Sequence, residues 1–155
     1  MVHRGFRRFR TSRTSERFQA HRLLTMFLLD TDTCVRFLRD DPDVKQQITR
    51  QDPDHIYISI LTVYELRVGI EKSTLRKSEK IRDLNALLDL LKVAPFSNSE
   101  AAEAAQIRAE LEKKGTPIGA IDYLIAGVAR CHDWTLVTGN SREFKRVKNL
   151  KVEKW

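Results

Sequence analysis

Four acidic side chains stand at positions where a carboxylate can do chemistry instead of facing solvent. Three lie just past short apolar runs that resemble strands, and the fourth is the only charged residue in the segment IGAIDYLIAGVA. They are, in that order, Asp30, Glu65, Glu143 and Asp122. An unpaired carboxylate in so apolar a segment must be neutralised, paired with a base or bound to a cation. Asp122 is therefore the strongest single indication of a functional site.

If the four carboxylates share a cleft at neutral pH, cations must lie between them. Ligand sets made only of oxygen favour hard cations such as Mg²⁺ or Mn²⁺. Such ions often serve reactions of phosphates, because they activate water and neutralise the phosphoryl oxygens. The four histidines have no metal-binding spacing, and the chain lacks the GxGxxG, GxxxxGKS/T and GxSxG motifs of other common catalytic classes.

Two of the acids also have a purely structural interpretation at a helix start. Asp30 could cap the helix that begins near Thr33, although Asp32 is better placed to do so. Glu65 lies three residues after Thr62, which is the spacing of the back-reaching member of a capping box.

The other two acids have alternatives of their own. Glu143 could occupy the first turn of a helix capped by Ser141, where the helix dipole favours negative charge. Asp122 could form an ion pair with a buried arginine. The remaining acids in turns and on polar helices are expected to be solvated, among them Asp40, Asp41, Asp43, Glu100, Glu103, Glu110 and Glu112.

Short apolar runs alternate with longer helical patterns along the chain. The predicted strands lie at residues 26–29, 55–60, 93–96, 135–138 and 150–152. The predicted helices lie around residues 34–38, 44–50, 62–69, 75–91, 97–114 and 120–130. This alternation is typical of an α/β fold with a parallel sheet. Because the carboxyl ends of parallel strands meet at one edge, we expect the acids that follow them to converge.

The basic character of the chain is concentrated at its start. Residues 1–25 contain seven of the 28 basic residues and one of the 21 acidic residues, so residues 26–155 hold 21 basic and 20 acidic residues. We expect a disordered basic extension followed by one domain over residues 26–155. The extension could be a transit-like peptide or a nucleic-acid-binding arm, but we favour a start assigned too early, with Met26 as the first residue.

The composition also bears on where the protein works. The longest stretch without Lys, Arg, Asp or Glu is ten residues, 55–64, whereas a membrane span needs roughly 20 apolar residues. We therefore expect no membrane association. Cys34 and Cys131 lie far apart in the sequence and suggest no disulfide framework, which suits a reducing cytoplasm.

Four segments resemble, in order, the PIN-domain ribonucleases and, among them, the VapC toxins of bacterial VapBC toxin–antitoxin modules. The segments are FLLDTDTCVRFLR (27–39), ISILTVYELRVGI (58–70), TPIGAIDYLIAGVAR (116–130) and LVTGNSREFKRVKNLKVEKW (136–155). The resemblance covers residues 26–155. It implies a PIN-like three-layer fold, in which a short, mostly parallel central sheet is flanked by helices.

The resemblance also implies the composition of the site. The ligands of Mg²⁺ or Mn²⁺ would be Asp30, Glu65, Asp122 and Glu143. Thr138 and Asn140 would orient a carboxylate or a water molecule beside them. The chain departs from the common pattern at Asp32, where Asn is usual, and at Gly139, where a larger residue often stands. Neither departure removes a ligand.

The implied activity is metal-dependent hydrolysis of RNA phosphodiester bonds, in which water attacks in line and leaves a 5′-phosphate and a 3′-hydroxyl. The implied partners are RNA, a VapB-like antitoxin and a second copy of the chain. One alternative is a haloacid-dehalogenase-like phosphatase, whose paired Asp motif resembles Asp30 and Asp32. That class requires Thr or Val where this chain has Cys34, and a late acidic pair that the chain lacks. Another alternative is a PIN domain that only binds partners, which the presence of all four acids disfavours.

Overall fold

The computed structural model describes residues 25–155, and the predicted disorder of the N-terminal extension falls outside the described residues except at Thr25. The strands of the described part are β1 (Phe27–Leu29), β2 (Ile56–Ser59), β3 (Lys92–Ala94), β4 (Thr135–Val137) and β5 (Lys151–Glu153). Its helices are α1 (Thr31–Leu38), α2 (Pro42–Thr49), α3 (Ile60–Glu71), α4 (Lys77–Leu90), α5 (Asn98–Lys113), α6 (Ala120–Cys131) and α7 (Ser141–Phe144). A single 3₁₀ turn, Pro53–His55, precedes β2.

The five strands form one parallel sheet in the order β3-β2-β1-β4-β5. The central strand is β1, in which Leu29 lies opposite Ile58 of β2 and Val137 of β4. The predicted parallel α/β architecture is therefore confirmed. Because β1 has neighbours on both sides, the residue that follows it lies at the middle of the carboxyl edge of the sheet.

Helices cover both faces of the sheet, which explains why the central strand β1 is apolar and buried at every position instead of alternating. Phe27 and Leu29 belong to a core built with residues of α1, α2, α3 and α4. Leu28, which points the opposite way, belongs to a second core built with α5, α6 and α7. The predicted three-layer arrangement is thus confirmed. Within residues 25–155, no helix is long and apolar enough to span a membrane.

The helix ends follow local sequence signals where these are strong. Ser97 and Glu100 form a capping box at the start of α5, and Gly115, with a φ of 67°, follows the end of that helix. The prediction that Glu100 is solvated is wrong, since the residue is only 3% exposed. Glu103 remains partly exposed, and its carboxylate pairs at 2.6 Å with Arg130 of α6. Packing of α6 against α5 covers this side of α5.

Candidate functional site

Asp30 occupies the junction between β1 and α1 and is only 6% exposed. Its backbone N–H donates to the carbonyl of Val137, which extends the β1–β4 pairing by one residue. Its carboxylate accepts the backbone N–H of Thr31 at 2.8 Å and the hydroxyl of Thr138 at 2.8 Å. Asp30 is therefore the N-cap of α1, as the structural interpretation proposed, and it also lies at the centre of the carboxyl edge.

Asp32 does not cap α1, contrary to the expectation that it was better placed than Asp30. Its carboxylate instead reaches across the edge of the sheet and accepts the backbone N–H of Gly139 at 2.7 Å and the hydroxyl of Thr138 at 3.3 Å. A Cβ atom at position 139 would lie 2.2 Å from an Asp32 carboxylate oxygen. Glycine at position 139 therefore leaves room for the Asp32 carboxylate in this position, and a larger residue would require that side chain to move.

Glu65 lies in the second turn of α3, within reach of the Asp30 junction. The helix is capped by Ser59, whose hydroxyl oxygen accepts the backbone N–H of Thr62 at 3.0 Å, so the capping-box interpretation of Glu65 is wrong. The Glu65 carboxylate accepts a hydrogen bond from the hydroxyl of Thr31. This contact joins α3 to the first turn of α1 and directs Glu65 toward the carboxyl edge of β1.

Asp122 lies in the first turn of α6 and is half-buried. None of the ion pairs formed among residues 25–155 involves it, so the alternative of a salt bridge to a buried arginine finds no support within that range. A Cβ atom on Gly119, the N-cap of α6, would lie 2.6 Å from an Asp122 carboxylate oxygen. Glycine at that position lets the carboxylate fold back over the start of its own helix.

Glu143 lies in the first turn of α7, as the structural interpretation proposed, but the N-cap is Asn140 and not Ser141. Asn140 donates its backbone N–H to the hydroxyl oxygen of Thr138 at 3.0 Å. Thr138 is fully buried, and its hydroxyl hydrogen faces two acceptors, Asp30 and Asp32. The turn after β4 is thus tied to the turn after β1 through one threonine side chain.

The electrostatics show that the predicted acids act on one another. Burial, together with the negative charges of Asp32 and Asp122, raises the pKa of Asp30 to about 7, against the lowering effect of its hydrogen bonds. Burial also raises the pKa of Asp122, and the charges of Glu65, Glu143 and Asp32 add to that rise. The charges of Glu65 and Glu143 thus act on Asp122, and the charge of Asp122 acts on Asp30. These four acids are called the carboxylate cluster below, and a bound cation would relieve the repulsion among them.

The donor set of this cluster fits a hard divalent cation. Its ligand-type groups are the carboxylate oxygens, with the hydroxyls of Thr31 and Thr138 beside them. Thr138 and Thr31 already hydrogen-bond two of the four carboxylates, those of Asp30 and Glu65, which leaves other carboxylate lone pairs available for an ion.

Comparison with known proteins decides the family. The model of the PIN domain matches residues 27–150, which is most of the chain. This chain belongs to the PIN-domain family. The tRNA(fMet)-specific endonuclease VapC of Salmonella typhimurium is 35% identical to it over 129 residues, which are 83% of this chain and 97% of that protein. Ribonuclease VapC2 of Rickettsia felis is 35% identical over 133 residues, 84% of this chain and 98% of that protein.

The same relationship holds in three dimensions. The crystal structure of DNA-bound VapBC from Salmonella typhimurium contains a chain that matches this PIN domain with a TM-score of 0.80 and 34% identity. The match covers 85% of this chain and 99% of that chain. Within the PIN-domain family the protein is therefore a member of the VapC toxins, and a phosphatase of the haloacid-dehalogenase class is not favoured.

Sequence reasoning missed two contributors to this PIN-domain site. Thr31 was not singled out, although it directly follows Asp30 and holds Glu65 through its hydroxyl. Asp32 was interpreted as a helix cap, as part of a paired-Asp motif and as a departure from the family pattern, whereas its carboxylate bridges to the turn after β4. Their position directly after a central strand was the available signal, because side chains there necessarily lie at the edge where ligands bind in parallel sheets.

Proposed function

We propose that this PIN domain is a metal-dependent endoribonuclease and the toxin of a VapBC-type module. The observation that carries the proposal is the carboxylate cluster, in which the pKa of buried Asp30 is raised to about 7 and that of Asp122 is also raised. A buried carboxylate such as Asp30, whose charged form is disfavoured by burial and by neighbouring negative charges, is costly without a cation and well matched to one. Two relatives that align with this chain over nearly their whole length are named as an endonuclease and a ribonuclease, which supports the reaction class.

Asp30 and Asp122 would hold the ion directly, and Glu65 and Glu143 would complete its ligand sphere or hold a second ion. When bound, Mg²⁺ or Mn²⁺ would activate water for in-line attack and neutralise the charge on the phosphoryl oxygens. Thr31 keeps the Glu65 carboxylate facing the site, and Thr138 keeps Asp30 in one orientation through a bond of 2.8 Å. These contacts set the positions of the ligands before an ion or RNA arrives.

The metal-site proposal is tested by Asp122→Asn. The substitution keeps the size of the side chain and removes one anionic ligand, so RNA cleavage in Mg²⁺ or Mn²⁺ should fall by more than about a hundredfold while the far-ultraviolet circular dichroism stays unchanged. Asp89→Asn, at an exposed position of α4, is the matched control and should leave cleavage unchanged. A chelator should abolish wild-type cleavage. Near-wild-type cleavage by the Asp122 variant, or cleavage that persists in the chelator, contradicts the proposal.

The first RNA to test is the initiator tRNA. The Salmonella typhimurium relative carries the name tRNA(fMet)-specific endonuclease and is aligned over 97% of its length. We propose the same substrate class for this chain. Sequencing the 5′ ends of RNA after induction of the toxin should reveal a single dominant cleavage position in initiator tRNA. A dominant cleavage site in another RNA would reject this substrate while leaving the nuclease activity standing.

We propose that an antitoxin binds in an apolar groove beside the carboxylate cluster. Its volume is about 270 Å³. Its apolar lining comes from α1, α3 and α4, and the residues are Val35, Leu38, Leu66, Ile70 and Leu84. Thr31 and Glu65 line the same groove, so a partner lying in it could direct a basic side chain to the cluster. The structural match to a VapBC complex supports a partner of this kind.

The groove can be blocked at Gly69, because a Cβ atom there would meet nothing within 4 Å. Gly69→Phe should prevent co-elution with the product of the adjacent open reading frame in size-exclusion chromatography, while RNA cleavage by the isolated chain persists. Gly69→Ala is the matched control and should still bind. A complex that forms equally well with Gly69→Phe would contradict the groove as the binding site.

Self-association is a separate expectation. Ile60 and Tyr64 on α3 are 45% and 57% exposed, and large apolar side chains at neighbouring helical positions favour a protein contact. We propose a homodimer through this face of α3. Tyr64→Lys should then convert the isolated toxin to a monomer by light scattering. A wild-type chain that is already monomeric would reject the dimer.

A further inference from the structure

A second cluster of ligand-type side chains lies away from the carboxylate cluster, where the start of α5 meets the end of α6. It consists of Glu100 in the first turn of α5 and of Cys131 and His132 at the end of α6. One ligand atom from each of the three lies within 4.8 Å of the others. The nuclease site proposed above uses none of these residues.

Close packing of the two helices brings these residues together. A Cβ atom on Gly127 of α6 would lie 2.7 Å from the Cβ of Ala104 and 2.8 Å from the carbonyl oxygen of Glu100. Only glycine allows this approach, and it places the end of α6 directly over the first turn of α5. Arg130 adds a bond of 2.6 Å to Glu103, which fixes the register between the helices.

The carboxylate of Glu100 is held in one orientation. Its Oε2 atom accepts the backbone N–H of Ser97 at 2.8 Å, the hydroxyl of Ser97 at 2.5 Å and the hydroxyl of Ser99 at 3.1 Å. The other oxygen, Oε1, therefore faces the two side chains from α6. It lies 2.8 Å from Nε2 of His132 and 4.0 Å from Sγ of Cys131.

The imidazole of His132 is held as well. Its ring stacks on the indole of Trp134, with centroids 4.5 Å apart and planes 23° apart, and the indole stacks on Tyr57 at 4.2 Å. The stack fixes the ring plane and presents Nε2 to Glu100. The His132 side chain is 36% exposed, so an ion can reach the cluster from solvent.

We propose that Glu100, Cys131 and His132 form a zinc site with three protein ligands and one position open to solvent. A thiolate, an imidazole and a carboxylate are the ligand types that Zn²⁺ takes, whereas Mg²⁺ and Mn²⁺ prefer oxygen alone. Ligand atoms of a tetrahedral zinc site lie about 3.3–3.6 Å apart, so the three atoms need shifts of only about 1 Å. On binding, the thiol of Cys131 releases its proton to solvent and binds as the thiolate. His132 binds through the lone pair of Nε2 as the neutral tautomer, with its single proton on Nδ1.

The proposed role of the ion is structural. It would fasten the end of α6 to the start of α5, and α6 is the helix that carries Asp122 at its other end. At a free Zn²⁺ concentration about 100-fold above the dissociation constant, the melting temperature should therefore rise by roughly 5–10 °C.

The test uses the full chain without a histidine tag, treated with a chelator and then titrated with Zn²⁺ against a chromophoric chelator. One equivalent should bind, and millimolar Mg²⁺ should not displace it. Cys131→Ser and His132→Gln should each weaken Zn²⁺ binding by more than about tenfold. Loss of a residue that only supports a metal ligand already has an effect of this size, so loss of a ligand should have at least as large an effect. His55→Gln, which removes a histidine elsewhere, and Asp122→Asn, which alters the carboxylate cluster, should bind Zn²⁺ as the wild type does.

Two further measurements do not depend on the folding of a variant. Co²⁺ added to the wild-type chain should produce a thiolate-to-cobalt charge-transfer band in the near ultraviolet. Zn²⁺ should slow the alkylation of Cys131 at least tenfold, while Cys34, which is fully buried, serves as an internal control that stays unmodified with or without the ion. No stoichiometric binding, binding unchanged in both the Cys131 and His132 variants, or alkylation unaffected by Zn²⁺ would overturn the proposal.

Discussion

The metal-free domain should lose stability as the pH rises from about 4 to 7, because of Asp30. The pKa of this buried carboxyl is about 7 in the folded chain, whereas an Asp side chain in the unfolded chain has its ordinary pKa of 3.8. Between these values the folded state keeps a proton that the unfolded state releases. The free energy of unfolding is therefore greatest at pH values below the pKa of Asp30 in the unfolded chain. It falls as the pH rises toward the pKa of Asp30 in the folded chain. At 1.36 kcal/mol per pKa unit, the loss over about three units is at most about 4 kcal/mol.

Asp30→Asn should remove most of this pH dependence. The amide is uncharged at every pH and caps a helix about as well as Asp, so the N-cap of α1 is retained. In chelator at pH 7, the variant should be more stable than the wild type, by up to the same 4 kcal/mol. At pH 4 the two should be nearly equal. RNA cleavage should nevertheless be lost, because a proposed metal ligand is gone.

Urea unfolding followed by circular dichroism, in chelator at several pH values, measures the effect. Asp89→Asn is the control, since that carboxylate is exposed, and it should follow the wild type across the window. Adding Mg²⁺ to the wild type should flatten its curve, because the ion offsets the charge of the cluster. If the Asp30 variant is less stable than the wild type at pH 7 without metal, the account of an uncompensated buried carboxylate is refuted.

Three further outcomes are expected. Gly127→Ala should destabilise the domain by about 1–3 kcal/mol in thermal melts, because its Cβ would lie 2.7–2.9 Å from atoms of α5. Gly69→Ala is the control and should be neutral or stabilising, because the space around Gly69 is open. Gly139→Ala should displace the carboxylate of Asp32 and lower RNA cleavage several-fold with little change in melting temperature; full activity would show that this contact is dispensable. Deleting residues 1–25 should leave metal-dependent cleavage intact, and a large loss in a chain that still melts cooperatively would assign the extension to RNA binding.

The sequence by itself determined the order of elements and indicated the main acids of the proposed site. Strands buried on both faces must be apolar throughout, and helices packed on one side must be amphipathic, so both are visible in local composition. Asp122 stood out because a charge in an apolar helix needs a partner. Asp30 stood out because the end of a central parallel strand always lies at the edge where ligands bind.

Tertiary structure alone decided how these acids are held and what else lies near them. The bond from Gly139 to Asp32 joins residues 107 positions apart, and the bond from Thr31 to Glu65 joins residues 34 positions apart. Local patterns carry no information about such distances. The burial of Glu100 was likewise hidden, because an acid in the first turn of a helix is usually solvated, and only the close approach of α6 at Gly127 covers it. Side-chain contacts between distant segments depend on packing that becomes defined only when the whole chain has folded.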